Sequence, residues 1–387
     1  MLKLPKNFIE LLQSYTKKTY LRGTRKAGFA ERSFGEADYR FFAKGVIELN
    51  RFFTVERAER PGDYFNRKEL RSGYLLYFLP VNVLKVTAVL DTLPPSFWQT
   101  PRHILDLGSG PATGAIGALL HQGMQHRKKA NDVEITLLDQ NRSILNDGKN
   151  LIQSLAQAGV CPTPKSIHLR PGRLLQPLPK LLPRRRYDLI LIANTLNELA
   201  QPERRVQLIM QLMERYMSKD GRLIIIEPAL RHPTRELMEL RDAVLEQGRL
   251  FVHAPCLHQA DCPMLAASRR DWCHMYWNWE RPQMIAEFDR LVEIRKDYLK
   301  ASYLVLAREA APTRRQDWRV VSGPLNSKGK TERLLCGEAA LPHLRRLVRL
   351  DRDRSLQNAA FDRAQRGDIV RVKAAERVGK KDRVDLI

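Results

Sequence analysis

Over the first 95 residues, apolar side chains recur at three- and four-residue steps, as in FIELLQSY and YFLPVNVLKVTAVLDTL, and this spacing predicts helices. Leu93-Pro94-Pro95 breaks the pattern and marks a boundary. Beyond it, short and nearly continuous apolar runs alternate with helical stretches. HILDLG (103–108), VEITLLD (133–139), YDLILIANTL (187–196) and GRLIIIEP (221–228) read as strands. The helices that follow them are ATGAIGALLHQG, NRSILNDGKNLIQSLAQAG, RRVQLIMQLMERYM and TRELMELRDAVLEQG. ASYLVLAR (301–308) reads as a late strand that completes the sheet. Such alternation with apolar strands implies an α/β protein with a parallel, doubly wound, Rossmann-like sheet. Residues 253–280 interrupt the rhythm with Cys, His, Pro and Trp, and from about 312 short strands are expected at DWRVV, TERLLC and GDIVRVK. The expected organisation is an N-terminal helical region (1–95), an α/β domain (96–311) with a Cys-rich insert (253–280), and a small β-rich extension (312–387).

A hydrophobic content of 43% is ordinary for a globular protein, but 66 Lys and Arg against 43 acids give a formal charge of +23. That excess speaks for a polyanionic partner, nucleic acid first, although a basic enzyme with a small substrate would show the same charge. The extension alone holds 19 Lys and Arg against 10 acids. Arg184-Arg185-Arg186 and the run from Lys17-Lys18 to Arg25-Lys26 are two further basic zones. The first residues lack a signal-peptide core and carry Glu10, against a transit peptide, so a cytoplasmic protein is expected ahead of one in the mitochondrial matrix. The apolar run Tyr74–Leu90, interrupted by Asn82 and Lys85, reads as a buried helix and not as a membrane span. A monomer is expected.

Between the first predicted strand and its helix stands Asp106-Leu107-Gly108-Ser109-Gly110-Pro111-Ala112-Thr113-Gly114. Glycines let the turn take unusual φ and let a ligand approach the backbone, and the helix start offers free N–H groups. The loop resembles the first motif of class I methyltransferases, which holds the methionine part of S-adenosylmethionine. The next strand ends in Asp139, an acid placed to accept from both ribose hydroxyls. The candidate cofactor residues are therefore Asp106, Gly108, Ser109, Gly110, Gly114 and Asp139. NAD is the rival ligand, and Ser109 and Thr113 also fit as helix caps.

Catalysis is less legible. Base-amino methyltransferases often carry Asn/Asp-Pro-Pro-aromatic after the fourth strand, and here that place reads Asn194-Thr195-Leu196-Asn197-Glu198, without a platform for a flipped base. Asn194, Asn197 and Glu198 are candidates for the cleft or, equally, for capping the next helix. Pro255-Cys256 is similar to the nucleophile pair of cytosine-C5 enzymes, but it follows the fifth strand and sits among other cysteines.

Those cysteines run Cys256, Cys262 and Cys273-His274, with Cys336 following 63 residues later. Thiolates in this number hold a tetrahedral zinc or an iron–sulfur cluster. Paired zinc knuckles are absent, and the wider spacing with flanking prolines suits a bulkier cluster; zinc stays open as the alternative. His253, His258 and His274 are spare donors, and Trp272, Trp277 and Trp279 would shield the group. Cys161, far away, reads as an ordinary semi-buried thiol.

The matches Ala254-Pro255-Cys256-Leu257-His258, Cys262-Pro263, Trp272-Cys273-His274, Ser302-Tyr303 and Cys336 resemble the mitochondrial and bacterial methyltransferase-like proteins of small-ribosomal-subunit assembly. Met275 stands where that pattern has Phe. The resemblance implies that Cys256, Cys262, Cys273 and Cys336 hold a 4Fe–4S cluster. It also implies binding to the immature small subunit through ribosomal RNA. Two function classes follow, an RNA-binding assembly factor and a catalytic rRNA methyltransferase; a small-molecule methyltransferase is the third, and the basic extension argues against it.

Overall fold

The computed structural model describes residues 1–21, 33–54, 64–99, 102–125, 133–174, 176–196, 199–312, 316–338, 343–372, 374–378 and 381–386. It divides into two compact units, Met1–Ala193 with Asn278–Leu299, and Asn194–Trp277 with Lys300–Ile387.

The first unit begins with helices α1 (Phe8–Tyr20), α2 (Glu36–Thr54) and α3 (Lys68–Leu90). Helix α3 is apolar enough to cross a membrane by composition, but 89% of its most apolar stretch is buried in the protein. It carries a π turn at Tyr74–Phe78, just before Pro80, which lacks the N–H that a regular ladder needs. Then come β1 (Arg102–Leu107), α4 (Thr113–Gln125), β2 (Val133–Asp139), α5 (Arg142–Gln157), β3 (Ser166–Pro171) and β4 (Tyr187–Ala193). The strands pair in parallel in the order β3-β2-β1-β4, the arrangement of a Rossmann-like half-sheet. Strand β4 ends three residues before the apolar run does. Strand β3 was not foreseen: SIHLRP is polar and partly exposed, as an edge strand can be.

The second unit holds α6 (Pro202–Gln211), β5 (Met217–Pro228), α7 (Arg231–Glu246), β6 (Phe251–Ala254), β7 (Met275–Trp277) and β8 (Leu299–Ala307). The expected doubly wound α/β sheet is parallel-dominated, and its late strand β8 pairs antiparallel with both β5 and β6. An apolar run is buried on both faces in either direction, so periodicity does not report strand sense. The basic extension forms a separate sheet of β9 (Asp317–Val320), β10 (Leu325–Ser327), β11 (Lys330–Gly337), β12 (Leu344–Leu350), β13 (Ile369–Arg371), β14 (Ala374–Val378) and β15 (Lys381–Leu386). Its order is β13-β9-β11-β12-β15-β14, with β10 on β11, around a core of Trp318, Val320, Leu335, Leu347 and Phe361.

Candidate functional sites

In the first unit β1 delivers Asp106, and the chain turns into α4 through three left-handed residues, Gly108 (φ 62°), Gly110 (φ 51°) and Ala112 (φ 63°). Ala112 carries a Cβ, so this conformation is held at a cost. The loop is fixed by Ser109 N donating to Leu138 O (2.9 Å) and Thr113 N donating to Ser109 O (3.1 Å). From below, α5 presses on it: a Cβ on Gly148 would lie 2.7 Å from Pro111 C and 2.8 Å from Ala112 N. The adjacent Asp147 anchors α5 by accepting from Tyr15 (2.9 Å) and Tyr20 (2.5 Å).

Asp106 is 1% exposed and turned beneath the helix, where it accepts from Ala115 N at 2.9 Å. Burial pushes its carboxyl up to about 7; the Ala115 and Gly114 amides oppose this, and the charge of Asp139 adds to it. These two amides place it as a cap on the first turn of α4. Asp139 accepts from Gly110 N (3.0 Å) and Asn141 N (2.9 Å), and the Gln140 amide bonds it as well. Burial raises its pKa against these amides. Above Gly110 lies open space, bounded by Phe65 Cε2 at 3.8 Å from a built Cβ. Asn66 Oδ1 accepts from Asn141 Nδ2 (2.7 Å), and Tyr74 meets the Phe65 ring edge-on (5.3 Å). Phe65, Asn66 and Tyr74 thus border the loop, although nothing in the sequence periodicity singles out Phe65 or Asn66. Ser109 is buried, with its hydroxyl turned to Gly110 O.

Because α5 touches the loop backbone, Gly148→Leu is expected to displace Pro111-Ala112. A loss of about 2 kcal/mol in unfolding free energy is expected by denaturant titration.

Of the catalytic candidates, Asn194 follows β4 in a left-handed conformation (φ 59°) with its N–H on Ile226 O (2.7 Å). Asn197 and Glu198 lie outside the described residues.

The second unit brings the four cysteines to one place. Cys256 follows β6, Cys262 precedes the turn Pro263–Ala267, Cys273 precedes β7, and Cys336 lies on β11. All four line a single cavity of ≈ 40 Å³. Burial pushes the Cys262 thiol up to about 11 and Cys273 up to about 12, and neighbouring sulfurs add to both. Cys336 is raised well above the usual thiol range by burial and by the other three sulfurs. Beside them is Arg241, 1% exposed, donating to Asp242 Oδ1 (2.5 Å) and His258 O (3.0 Å). Burial alone would lower its pKa, but the Cys256 sulfur and Asp242 outweigh that and raise it. Asp242 in turn accepts from Cys262 N (3.0 Å). His258 Nε2 meets Cys336 Sγ at 3.2 Å, and its ring stacks on His343 at 4.6 Å. Burial lowers His258 and His274 to about 4 each, so both stay neutral at pH 7.

Met238, Met264, Val321, Trp272 and Leu344 form an apolar jacket with Cys262, Cys273 and Cys336. Of the expected shields, Trp277 packs on Tyr303 and Trp279 belongs to the first unit, where it donates to Lys296 O. Among the described residues no three His, Cys, Asp or Glu side chains are gathered closely enough for one metal ion. Cys161 is buried, its thiol pushed up to about 12 by burial.

Two of the basic residues that the sequence offers for nucleic acid, Lys17 and Arg349, are buried in ion pairs, and others make partly exposed contacts. Lys17 is 2% exposed and paired with Asp38 at 3.3 Å. Arg349, also 2% exposed, pairs with Asp362 at 2.9 Å and Asp351 at 3.5 Å. Arg345 lies over the Trp318 ring at 5.3 Å, Arg346 is 3.3 Å from Glu332, and Arg185 is 3.1 Å from Glu134. Burial of a long cation against a remote acid is invisible in sequence. Lys18, Arg184, Lys328, Arg352 and Arg363 remain exposed. Arg25 and Lys26 lie outside the described residues.

Among solved structures, the chain is similar to a ribosomal protein L11 methylase from Lactobacillus delbrueckii subsp. bulgaricus, with 15% identity, TM-score 0.30, and 58% of this chain and 77% of that one covered. It is similar also to an S-adenosylmethionine-dependent methyltransferase from Clostridium acetobutylicum, with 10% identity, TM-score 0.34, and 67% and 97% covered. A TehB-like methyltransferase from Corynebacterium glutamicum gives 11% identity, TM-score 0.32, and 69% and 99% covered. No curated protein sequence matches the chain. The family model described as mitochondrial small ribosomal subunit Rsm22 matches residues 69–371, a span that includes the glycine loop, Asp139 and all four clustered cysteines. The mitochondrial label stands against the cytoplasmic expectation without deciding the compartment. With most of its length matched, from helix α3 to strand β13, this chain belongs to the Rsm22 family.

Proposed function

We propose that this chain is an S-adenosylmethionine-binding, iron–sulfur-containing, methyltransferase-like factor that acts on the small ribosomal subunit through ribosomal RNA. The observation that carries the reading is the convergence of Cys256, Cys262, Cys273 and Cys336 on one apolar-jacketed cavity. A single zinc ion draws its donors to about 2.0–2.3 Å from one point. The chain spacing, without paired zinc knuckles, favours the broader cluster. Arg241 supplies a buried cation that would offset the negative charge of four thiolates around iron. When bound, a 4Fe–4S cluster would supply a redox-responsive tie between these segments. Anaerobic purification followed by iron, sulfide and zinc analysis tests it. About four iron and four sulfide per chain are expected. Stoichiometric zinc without sulfide would overturn the cluster.

The cofactor reading rests on the left-handed loop and on Asp139, the acid at the end of β2 that is tied to Gly110 of that loop. Gly108→Val places a β-branched side chain at φ 62°, so calorimetric binding of S-adenosylmethionine should be lost. The second reading, a catalytic rRNA methyltransferase, draws on the left-handed Asn194 at the end of β4, a conformation common at functional sites. Transfer of labelled methyl to small-subunit RNA, abolished by Asn194→Ala, would favour it.

Phosphate contact should come from the exposed cations and not from the buried ones. Replacing Lys328, Arg352 and Arg363 with Gln should lower the log–log salt slope of RNA binding by about 0.7–0.9 for each contact removed. An unchanged slope would take the extension out of the interface.

A further inference from the structure

In the first unit α3 presents Tyr74, Phe78, Asn82 and Lys85 as one stripe at helical spacing. The adjoining face, Val83 and Val86, packs against α4: a Cβ on Gly117 would lie 2.6 Å from Val86 Cβ. Tyr74, at one end of the stripe, meets Phe65, which borders the glycine loop. Lys85 Nζ donates to Asn82 Oδ1 (3.1 Å), and Asn82 Nδ2 donates to the Tyr74 hydroxyl (3.4 Å). Tyr74 in turn stands in the field of Asp106 and Asp139. Lys296 approaches the same region, with Nζ 3.8 Å above the Tyr77 ring and 3.8 Å from Asp289 Oδ1. Asp289 is already shared, accepting from Tyr77 (2.6 Å) and Arg281 (3.1 Å).

Lys296 and Arg281 thus share the Asp289 carboxylate, and no acid acts on Lys85 among the described residues. Burial pushes the Lys85 ammonium down to about 8. Lys296 also falls to about 8, by burial opposed by Asp289 and reinforced by Lys85. A half-buried ammonium without a counter-charge is costly, and the cost disappears when an anion arrives. Yet Lys85 is not sealed in: it and Asn82 keep part of their surface open to solvent.

We propose that Lys85, with Asn82 and Lys296, binds an oxyanion, a carboxylate or phosphate group, beside the glycine loop. Two sources share this chemistry. One is the amino-acid carboxylate of S-adenosylmethionine, an assignment that rests on the cofactor reading above. The other is a free phosphate group, which does not.

Calorimetry on the full chain separates them, using S-adenosylmethionine, 5′-methylthioadenosine and inorganic phosphate as probes. The proteins are native, Lys85→Met, Lys296→Gln and, as an exposed control, Lys18→Met. If the cofactor carboxylate is the occupant, Lys85→Met weakens S-adenosylmethionine by about tenfold or more, as loss of a charge-assisted bond should. Methylthioadenosine, which lacks the amino-acid end, then stays within about twofold. If phosphate is the occupant, inorganic phosphate binds the native chain, Lys85→Met abolishes this, and S-adenosylmethionine is unaffected. Ligand-free Lys85→Met should be at least as thermally stable as native, because it removes an unpaired buried charge. Should that variant fail to fold, Lys296→Gln, at a partly exposed position, is expected to show the same pattern at smaller amplitude. Native chain that binds neither adenosine probe would refute the cofactor reading alone, and phosphate would decide the site. Affinities for S-adenosylmethionine and phosphate that change by less than about twofold in both variants would overturn the proposal, as would native chain that binds none of the three probes.

Discussion

Cys336→Ser should strip iron from the purified protein and lower its unfolding midpoint by roughly 10 °C. Energy of metal binding in such a site is also folding energy, so a lost ligand costs several kcal/mol, at about 2–4 °C per kcal/mol for a body of this size. Cys336 sits in the middle of the later sheet, opposite Arg319 on β9 and Leu344 on β12. Limited proteolysis of the variant should therefore cut within 316–372, while cleavage in the first unit stays at its native rate. Iron content equal to native in Cys336→Ser would remove this residue from the ligand set. Cys161→Ser is the matching control, because that thiol does not line the cavity, and iron and midpoint should not move.

The second large effect is one of pH. Asp106 carries a folded-state pKa of about 7, raised chiefly by burial, against 3.8 for the free side chain. The folded chain therefore keeps a proton that the unfolded chain has released. Stability from this group is complete below about pH 4, falls as pH rises, and levels off above about pH 7. The drop is of order 4 kcal/mol at 1.36 kcal/mol per unit. Asp139 and Asp147 are raised as well, both chiefly by burial, and act in the same direction. Urea titrations of ligand-free protein at pH 5, 6, 7 and 8 would show the decline. In Asp106→Asn, whose amide oxygen still accepts from Ala115 N–H, the decline should shrink and the protein should be more stable than native at pH 8. Equal slopes in the two proteins would assign the titration elsewhere.

How much of this was legible in the sequence depends on what each pattern reports. VEITLLD matches β2 residue for residue, because a buried parallel strand is a continuous apolar run. The left-handed turn at the glycine loop was also readable, since glycine is the residue that takes it freely, and the close spacing of three cysteines foretold that they would meet. Strand β12 escaped notice: LRRLVRL carries three arginines, one of which is buried against Asp362. The packing of Asp106 was not legible for a related reason. Spacing puts a carboxylate at the strand end, but whether it faces a ligand or the start of α4 depends on how Gly114 lets the helix approach. A Cβ there would stand 2.7 Å from Asp106 Oδ1. Phe65 and Asn66 were missed because they come from a short irregular segment with no period to read.

The placement of Cys336 has a consequence for the topology of the chain. If the sulfurs share one cluster, the 63 residues from Cys273 to Cys336, which include β8 and most of β11, become a closed ring. Closing a ring of that size removes as much unfolded-state entropy as a long-range disulfide, about 4 kcal/mol. A disulfide, however, opens only to a reductant, whereas this ring would open whenever iron is withdrawn or oxidised away. The later sheet would then hang from the first three cysteines by an open tether. Iron supply would set, through loop entropy alone, how long that sheet stays in place.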